Sequence, residues 1–519
     1  MEEKKTQICN PYLPLYEYVP DGEPHVFGER VYIYGSHDRF DGEAFCLNDY
    51  VCYSADTADL KNWRFEGVIY RKEQDPRNRD ERYKDDFFQI CDIKGRYPGG
   101  LNPPGIHAMW APDVVCGPDG RYYLYYCLDF LPEIGVAVCD TPGGRYEFLG
   151  FVKHPDGTPL GRKESDLIQF DPGIFIDDDG EIYLYSGNAP MFEWQKFKEK
   201  KGSQVMRLRE DMVTLKGEVR KLLPTIEDTD LQGFDGHEFF EASSLRKVNG
   251  RYYFVYSSVV SHELCYAVSD HPDRGYTFGG TIIDICDQGI DADAPLNALG
   301  NTHGGIEYIN GEWYVFYHRQ TNCSQFSRQA CAERIVMTED GRIPQVPVTT
   351  VGLNAAPLEG NGIYPASVCC RLTGRKGMVM CDQKTMNWEY PFITQDHADV
   401  EPGDTPSGIL LEDKESGTSR MLASVQYIAN IADGTVIGYK TFRFDRTSEL
   451  SVTVRGRALG KIMVFTDLKG ACCMEIPVRI FNGDWMELSG TGNIPSGVHD
   501  IYLVYEGGGW LDLAEIRFM

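Results

Sequence analysis

Asp21, Asp171 and Glu241 recur at matching places, 11 or 12 residues ahead of Tyr32, Tyr183 and Tyr253 in aromatic-rich strands. Alone, any one of them reads as a turn cap or a solvated strand end. In register across separate copies of one pattern, they read as a cluster. Carboxylates that converge raise one another's pKa. Cleaving a glycosidic bond needs two carboxyls in opposite protonation states. One donates a proton to the leaving oxygen, and the other, ionised, activates water. His303 holds the corresponding place, 11 residues ahead of Tyr314.

The elements that would gather these residues are repeated hairpins. Five segments share an apolar run, a glycine turn and an aromatic-rich strand. They are HVFGERVYIYGSHD (25–38), DVVCGPDGRYYLYYCLD (113–129), GIFIDDDGEIYLYSGN (173–188), SLRKVNGRYYFVYSS (244–258) and GIEYINGEWYVFYHR (305–319). Asp119-Gly120, Asp179-Gly180, Asn249-Gly250 and Asn310-Gly311 are tight-turn dipeptides, in which positive φ costs little. The turn glycines Gly28, Gly120, Gly180, Gly250 and Gly311 lie 92, 60, 70 and 61 residues apart. Two further strands follow most hairpins, as in VCYSADTADLKNWRFEGVIY (51–70), VAVCDTPGGRYEFLGFV (136–152) and CYAVSDHPDRGYTFGGTII (265–283). Four-stranded units repeated radially are propeller blades. The fold class read here is therefore all-β, with a five-bladed β-propeller over residues 1–350. The innermost strand of each blade lines the central channel, so the residues that open those strands converge at one mouth.

Residues 351–400 show no clear period and are expected to connect and pack. From 401 to 519 strands resume with another rhythm, in IGYKTFRF (437–444), ELSVTVRGRA (449–458), KIMVFTD (461–467), GVHDIYLVYEG (497–507) and WLDLAEIRF (510–518). That spacing predicts an antiparallel β-sandwich. The charged run at 75–94 is expected to be a solvated insertion between blades one and two.

A net charge of −27 disfavours nucleic acid and anionic membrane surfaces, which select basic protein. A neutral sugar meets no such repulsion. No apolar stretch reaches the length of a membrane span or of a signal peptide. The 16 cysteines include the adjacent pairs Cys369–Cys370 and Cys472–Cys473 and no C-x-x-C, which reads as reduced thiols in a cytoplasm. Oligomeric state leaves no trace in the sequence.

The passages around these residues resemble glycoside hydrolase family 43. They are Asp21 before the first hairpin, WAPDVV with GRYYLYY (110–126), FDPGIF with DGEIYLY (170–185), FFEASSL with GRYYFVYSS (239–258) and THGGIEY with EWYVFYH (302–318). The resemblance implies a five-bladed propeller glycosidase acting with inversion on terminal α-L-arabinofuranosyl or β-D-xylosyl units of small plant-derived oligosaccharides. It implies Asp21 as general base, Asp171 as the residue that tunes and orients the acid, and Glu241 as general acid. In an inverting enzyme the base and acid stand roughly 6.5–9.5 Å apart, leaving room for water. The family base usually reads Asp-Pro, whereas this chain has Asp21-Gly22-Glu23-Pro24. A gapless match of the following hairpin selects Asp21, and anchoring on the proline selects Glu23. No cofactor is required. The resemblance also allows a structural calcium ion near the propeller centre, held through water by His303, although calcium prefers several oxygen ligands. Arg328 resembles an arginine that reaches the sugar or a carboxylate. Trp110 could wall the sugar or pack between blades, and His25 and His37–Asp38 could line the pocket.

The C-terminal region resembles family-6 carbohydrate-binding modules in DGTVIGYKTFRF (433–444), VTVRGRALGKIMVF (452–465) and GGGWLDLAEIRF (507–518). There Trp510 is placed to stack on sugar or to fill a core. A second functional reading, from a different class, is a non-catalytic sugar-binding propeller. The departure at the base motif motivates it, and turnover of aryl glycosides discriminates the two.

Overall fold

The computed structural model describes residues 5–42, 44–79, 107–129, 131–189, 202–290, 292–380, 389–396, 409–413, 418–422 and 425–519. Its first part is a five-bladed β-propeller of antiparallel sheets. Blade one comprises Glu23–Phe27, Arg30–Tyr34, Tyr50–Asp56 and Asp59–Tyr70. Blade two comprises Met109–Cys116, Tyr122–Leu128, Ile134–Cys139 and Glu147–Phe151. Blade three runs through Gly173–Ile176, Ile182–Ser186, Gln204–Leu208 and Arg220–Lys221. Blade four runs through Phe239–Val248, Arg251–Ser258, Glu263–Ser269 and Thr277–Asp284. Blade five has three strands among the described residues, Ile306–Ile309, Glu312–Gln320 and Arg328–Ile335.

The hairpin turns form where the dipeptides place them. Asn249 and Gly250 have φ of 51° and 82°, and Asn310 and Gly311 have 48° and 91°, the paired positive angles that match strand twist in a two-residue turn. The apolar cores lie between blades rather than within them. One cluster joins blades one and two through Tyr34, Tyr50, Leu124 and Tyr126. Others join two to three, three to four and four to five. The fifth joins blade five to blade one through Phe316, Ala330, Val31 and Val51, and it includes Ile8, Tyr12 and Leu13. Tyr12 N–H donates to the Ala330 carbonyl at 3.1 Å, so the N-terminal segment lies along the last described strand of blade five and seals the ring.

The C-terminal region forms one large sheet around its own core. The long strands Thr447–Phe465 and Gly497–Phe518 pair along most of their length. Residues 351–400, expected to connect and pack, place Leu358–Glu359, Gly362–Pro365, Arg371–Thr373 and Phe392–Gln395 in this same sheet. Their short strands lack a periodic signal because each borrows its pairing from a distant strand, as Gly362–Pro365 does from Glu515–Phe518. Trp510 faces solvent at 46% exposure and takes no part in the core.

Polar contacts join the two parts. Lys440 Nζ lies 2.6 Å from Asp287 Oδ2, both buried. Gln426 donates to the Tyr18 hydroxyl at 2.9 Å, and that hydroxyl donates to Gln395 at 2.8 Å. Tyr18 stands three residues before Asp21, so the C-terminal sheet backs the first blade where its channel strand begins. The charged run at 75–94 departs from expectation at its start. Asp75 and Arg77 are fully buried and paired at 2.8 Å, with Arg77 also donating to the Glu133 carbonyl. The rest of that run, from 80, lies outside the described residues.

Candidate active site

Asp21 and Asp171 occupy the turns that lead into the channel strands of blades one and three, and Glu241 lies within the channel strand of blade four. Asp21 has φ of 56° and Asp171 of 42°, in the left-handed region that side chains seldom adopt. Next to Glu241, Ala242 has φ of 70°. The register of that strand slips on both sides of Glu241, which is a bulge. The bulge turns Ala242 N–H onto Asp171 Oδ2 at 3.2 Å. A left-handed residue thus falls at Asp21, at Asp171 and next to Glu241. Gly173 lets blades three and four approach at the axis, because a Cβ there would lie 2.2 Å from the Ser243 carbonyl oxygen.

All three carboxyls are buried, with side-chain environments that separate their protonation. Burial pushes Asp21 up, but the Arg328 guanidinium, with His303 adding to it, outweighs that and holds the carboxyl below its ordinary value. Arg328 Nη1 donates to Asp21 Oδ1 at 2.9 Å. The same guanidinium is clamped by Asp38, through Nε at 2.8 Å and Nη2 at 2.9 Å. Among the described residues, no Lys, Arg or His forms an ion pair with Glu241. Burial first, then the charge of Asp171, push it up to about 8. Its contact is a hydrogen bond from Asn188 Nδ2 at 3.2 Å. Asp171 is also raised, chiefly by burial, with His303 opposing. His303 Nδ1 lies 3.3 Å from Asp171 Oδ2. Burial disfavours its charge, but Asp171 outweighs that and lifts it to about 9.

Of the three, Asp21 is thus the carboxyl held toward its ionised form and Glu241 the one pushed furthest toward its protonated form. Such a pair can activate water and protonate a leaving oxygen.

A family model, Glycosyl hydrolases family 43, matches residues 19–343. A Thermoclostridium stercorarium protein named xylosidase/arabinosidase is 46% identical over 511 residues, covering 97% of each chain. The chain belongs to glycosyl hydrolase family 43.

A Bacteroides ovatus xylosidase/arabinosidase is 30% identical to this family 43 enzyme over 334 residues, 59% of the chain and 87% of the relative. A solved family 43 arabinoxylan arabinofuranohydrolase from Bacillus subtilis, in complex with cellotetraose, shares the fold along 99% of this chain and 98% of its own. It has 21% identity and a TM-score of 0.50.

The other residues singled out in the sequence of this family 43 enzyme have these surroundings. Glu23 opens the first strand of blade one, two residues after Asp21, and is buried. It accepts from Ser244 Oγ at 2.6 Å and pairs with Arg246 at 3.0 Å. Its carboxylate fills the space in which a Cβ at Gly305 would stand. Trp110 is half-buried and meets Phe170, the neighbour of Asp171, edge to face at 5.1 Å. Its carbonyl accepts from the Tyr50 hydroxyl. Arg328 reaches carboxylates, Asp21 and Asp38. His25 pairs with Asp113 at 2.6 Å, deeper in the channel.

Three contributors escaped sequence reasoning. Asn188 ends a hairpin already recognised, but nothing local aims it at Glu241. Phe45 lies under Arg328 at 4.7 Å and against Phe326 at 4.6 Å, with both rings half-buried and no repeat to flag them. His318 closes the motif EWYVFYH, and only the fold brings it to Asp21, 297 residues away.

Proposed function

We propose that this enzyme is an inverting exo-glycosidase that removes terminal α-L-arabinofuranosyl or β-D-xylosyl units from small plant-derived oligosaccharides. The observation that carries the reading is the different company of two buried carboxyls, Asp21 against the Arg328 guanidinium at 2.9 Å and Glu241 against the neutral Asn188 amide, which holds Asp21 low while burial lifts Glu241 to about 8. Glu241 donates its proton to the glycosidic oxygen as the bond breaks. Asp21 takes a proton from the water that attacks the anomeric carbon on the opposite face. Displacement is direct, so the product has inverted configuration. Asp171, ionised against the His303 imidazolium, keeps Glu241 protonated through its charge and, anchored by Ala242 N–H, fixes the geometry beside it. Asp21 is favoured over Glu23 as base because Glu23 is committed to Ser244 and Arg246. Trp110 with Phe170, and Phe45 with Phe326, supply half-buried aromatic walls for a sugar ring.

The chemistry requires no cofactor, since every proton is held by the chain. The residues present suit a calcium ion poorly at His303. That ring carries positive charge beside Asp171, and His303 is in none of the three His, Cys, Asp and Glu groups with ligand-like spacing among the described residues. Free described cysteines support action in a reducing cytoplasm. No helix among the described residues is long and apolar enough to cross a membrane.

The test is aryl α-L-arabinofuranoside and aryl β-D-xyloside hydrolysis, with the first-formed anomer read by NMR. Inverted product is expected from at least one substrate. Retention of configuration removes the mechanism, and sugar binding without turnover on both substrates removes the enzyme reading. Asp21→Gly with added azide isolates the base. Azide is expected to restore turnover and form a glycosyl azide.

A further inference from the structure

His318 is fully buried where the second strand of blade five ends, and both of its ring nitrogens are committed. Nδ1 lies 3.1 Å from the backbone N–H of Asp21. Nε2 lies 2.9 Å from the Asn301 carbonyl oxygen. A backbone N–H can only donate and a carbonyl can only accept, so the two contacts together allow one tautomer: Nε2 carries the proton and Nδ1 presents its lone pair. A proton on Nδ1 would collide with the Asp21 N–H. It would also compete with Arg328 for Asp21 Oδ1, which lies 3.3 Å from the same nitrogen.

We propose that His318 is a positioning residue for the reaction, a permanently neutral imidazole that aims Asp21 and ties it to the loop carrying His303. The proposal rests on Asp21 as the base. Asp21 sits in a left-handed turn, a conformation that an anchored N–H helps to hold. The ring supplies that capture from one side. On the other it pins residues 301–303, helped by Thr302 Oγ1, which donates to the His318 carbonyl at 3.2 Å. His303, the next residue, touches Asp171, which in turn holds Ala242 beside Glu241. One ring therefore couples the placement of the base to that of the acid. The charged groups facing it are Asp21, Arg328 and His303. Burial, the largest influence, drives its pKa to about 3, in keeping with a ring that never charges in the working range.

Two substitutions separate the two nitrogens. In His318→Asn the amide oxygen replaces the Nδ1 acceptor and the Nε2 contact is lost. In His318→Gln the amide nitrogen replaces the Nε2 donor and the acceptor is lost. His318→Asn is expected to keep kcat within about tenfold of the parent. His318→Gln is expected to lose about 100-fold in kcat, the scale of a slightly misplaced reacting group, with KM little changed. Its acidic pH limb is expected to move to higher pH as Asp21 drifts from Arg328. Equal losses in the two variants with an unmoved pH profile would overturn the proposal. ¹⁵N NMR of histidine-labelled parent enzyme decides it without any variant. A ring protonated only on Nε2 from pH 5 to 8 is expected, and an Nδ1–H ring or a titrating ring overturns it. Asp21→Gly with azide, run alongside, distinguishes the failures. Absent rescue removes the base assignment, whereas rescue with a failed Asn–Gln contrast removes only the role of His318.

Discussion

Arg328 donates to Asp21 across 2.9 Å while Asp38 grips the same guanidinium at two nitrogens, all three side chains being buried. One cation thus serves two carboxylates, of which Asp21 is the proposed base. Arg328→Lys keeps the charge and loses the fork. The expected result is a fall of about 100-fold in kcat/KM, with unfolding made easier by about 3 kcal/mol because two buried carboxylates lose hydrogen bonds. Denaturant titration and steady-state kinetics read the two effects separately. An unchanged kcat/KM would show that Arg328 does not govern the base.

The pH profile follows from two opposite shifts. Glu241 must be protonated, so activity falls as pH rises through about 8. Asp21 must be ionised. Its pKa lies below the ordinary 3.8, so activity is lost only in strong acid. A broad plateau of kcat/KM between these limits is expected. Asp171→Asn removes the second-largest influence raising Glu241, after burial. Its basic limb should therefore move to lower pH, alongside a loss in kcat. A limb that stays in place would detach Asp171 from the tuning of the acid.

Glu241→Gln is expected to lose about 10²–10⁴-fold on substrates with poor leaving groups, the usual yield of general acid catalysis. Dinitrophenyl glycosides, whose leaving group needs no proton, should lose far less. Equal losses on both would mean that Glu241 does not protonate the leaving oxygen.

The Lys440–Asp287 contact is a buried charge pair between the C-terminal sheet and the propeller. Removing Lys440 takes a contacting cation from a buried carboxylate, so Lys440→Met is expected to destabilise by about 3 kcal/mol. The double variant Lys440→Met/Asp287→Leu should recover much of that. Chemical denaturation checks both, and kcat below the transition should stay near the parent value.

Chelation tests the cofactor reading. Exhaustive dialysis against EDTA should leave kcat and KM unchanged, because the proton donors and acceptors are all side chains. Loss of activity that calcium restores would instead place an ion in the reaction.

Much of this enzyme was legible in its residues alone. Turn dipeptides such as Asn249-Gly250 act locally through backbone angles, so their repetition revealed five blades. A fixed distance from turn to channel then placed Asp21, Asp171, Glu241 and His303 near one axis. Short-range physics carries such signals. Choosing between Asp21 and Glu23 needed more, because Asp21 lies in the turn and Glu23 opens the strand that follows, and both carboxylates are within two residues of the same strand start. Their partners come from the closed ring. Arg328 reaches Asp21 from 307 positions away, and Arg246 lies 223 positions beyond Glu23. The sequence by itself determined which carboxylates converge. Ring closure decided which of them is ionised, because pKa depends on burial and on cations that only tertiary packing brings into contact.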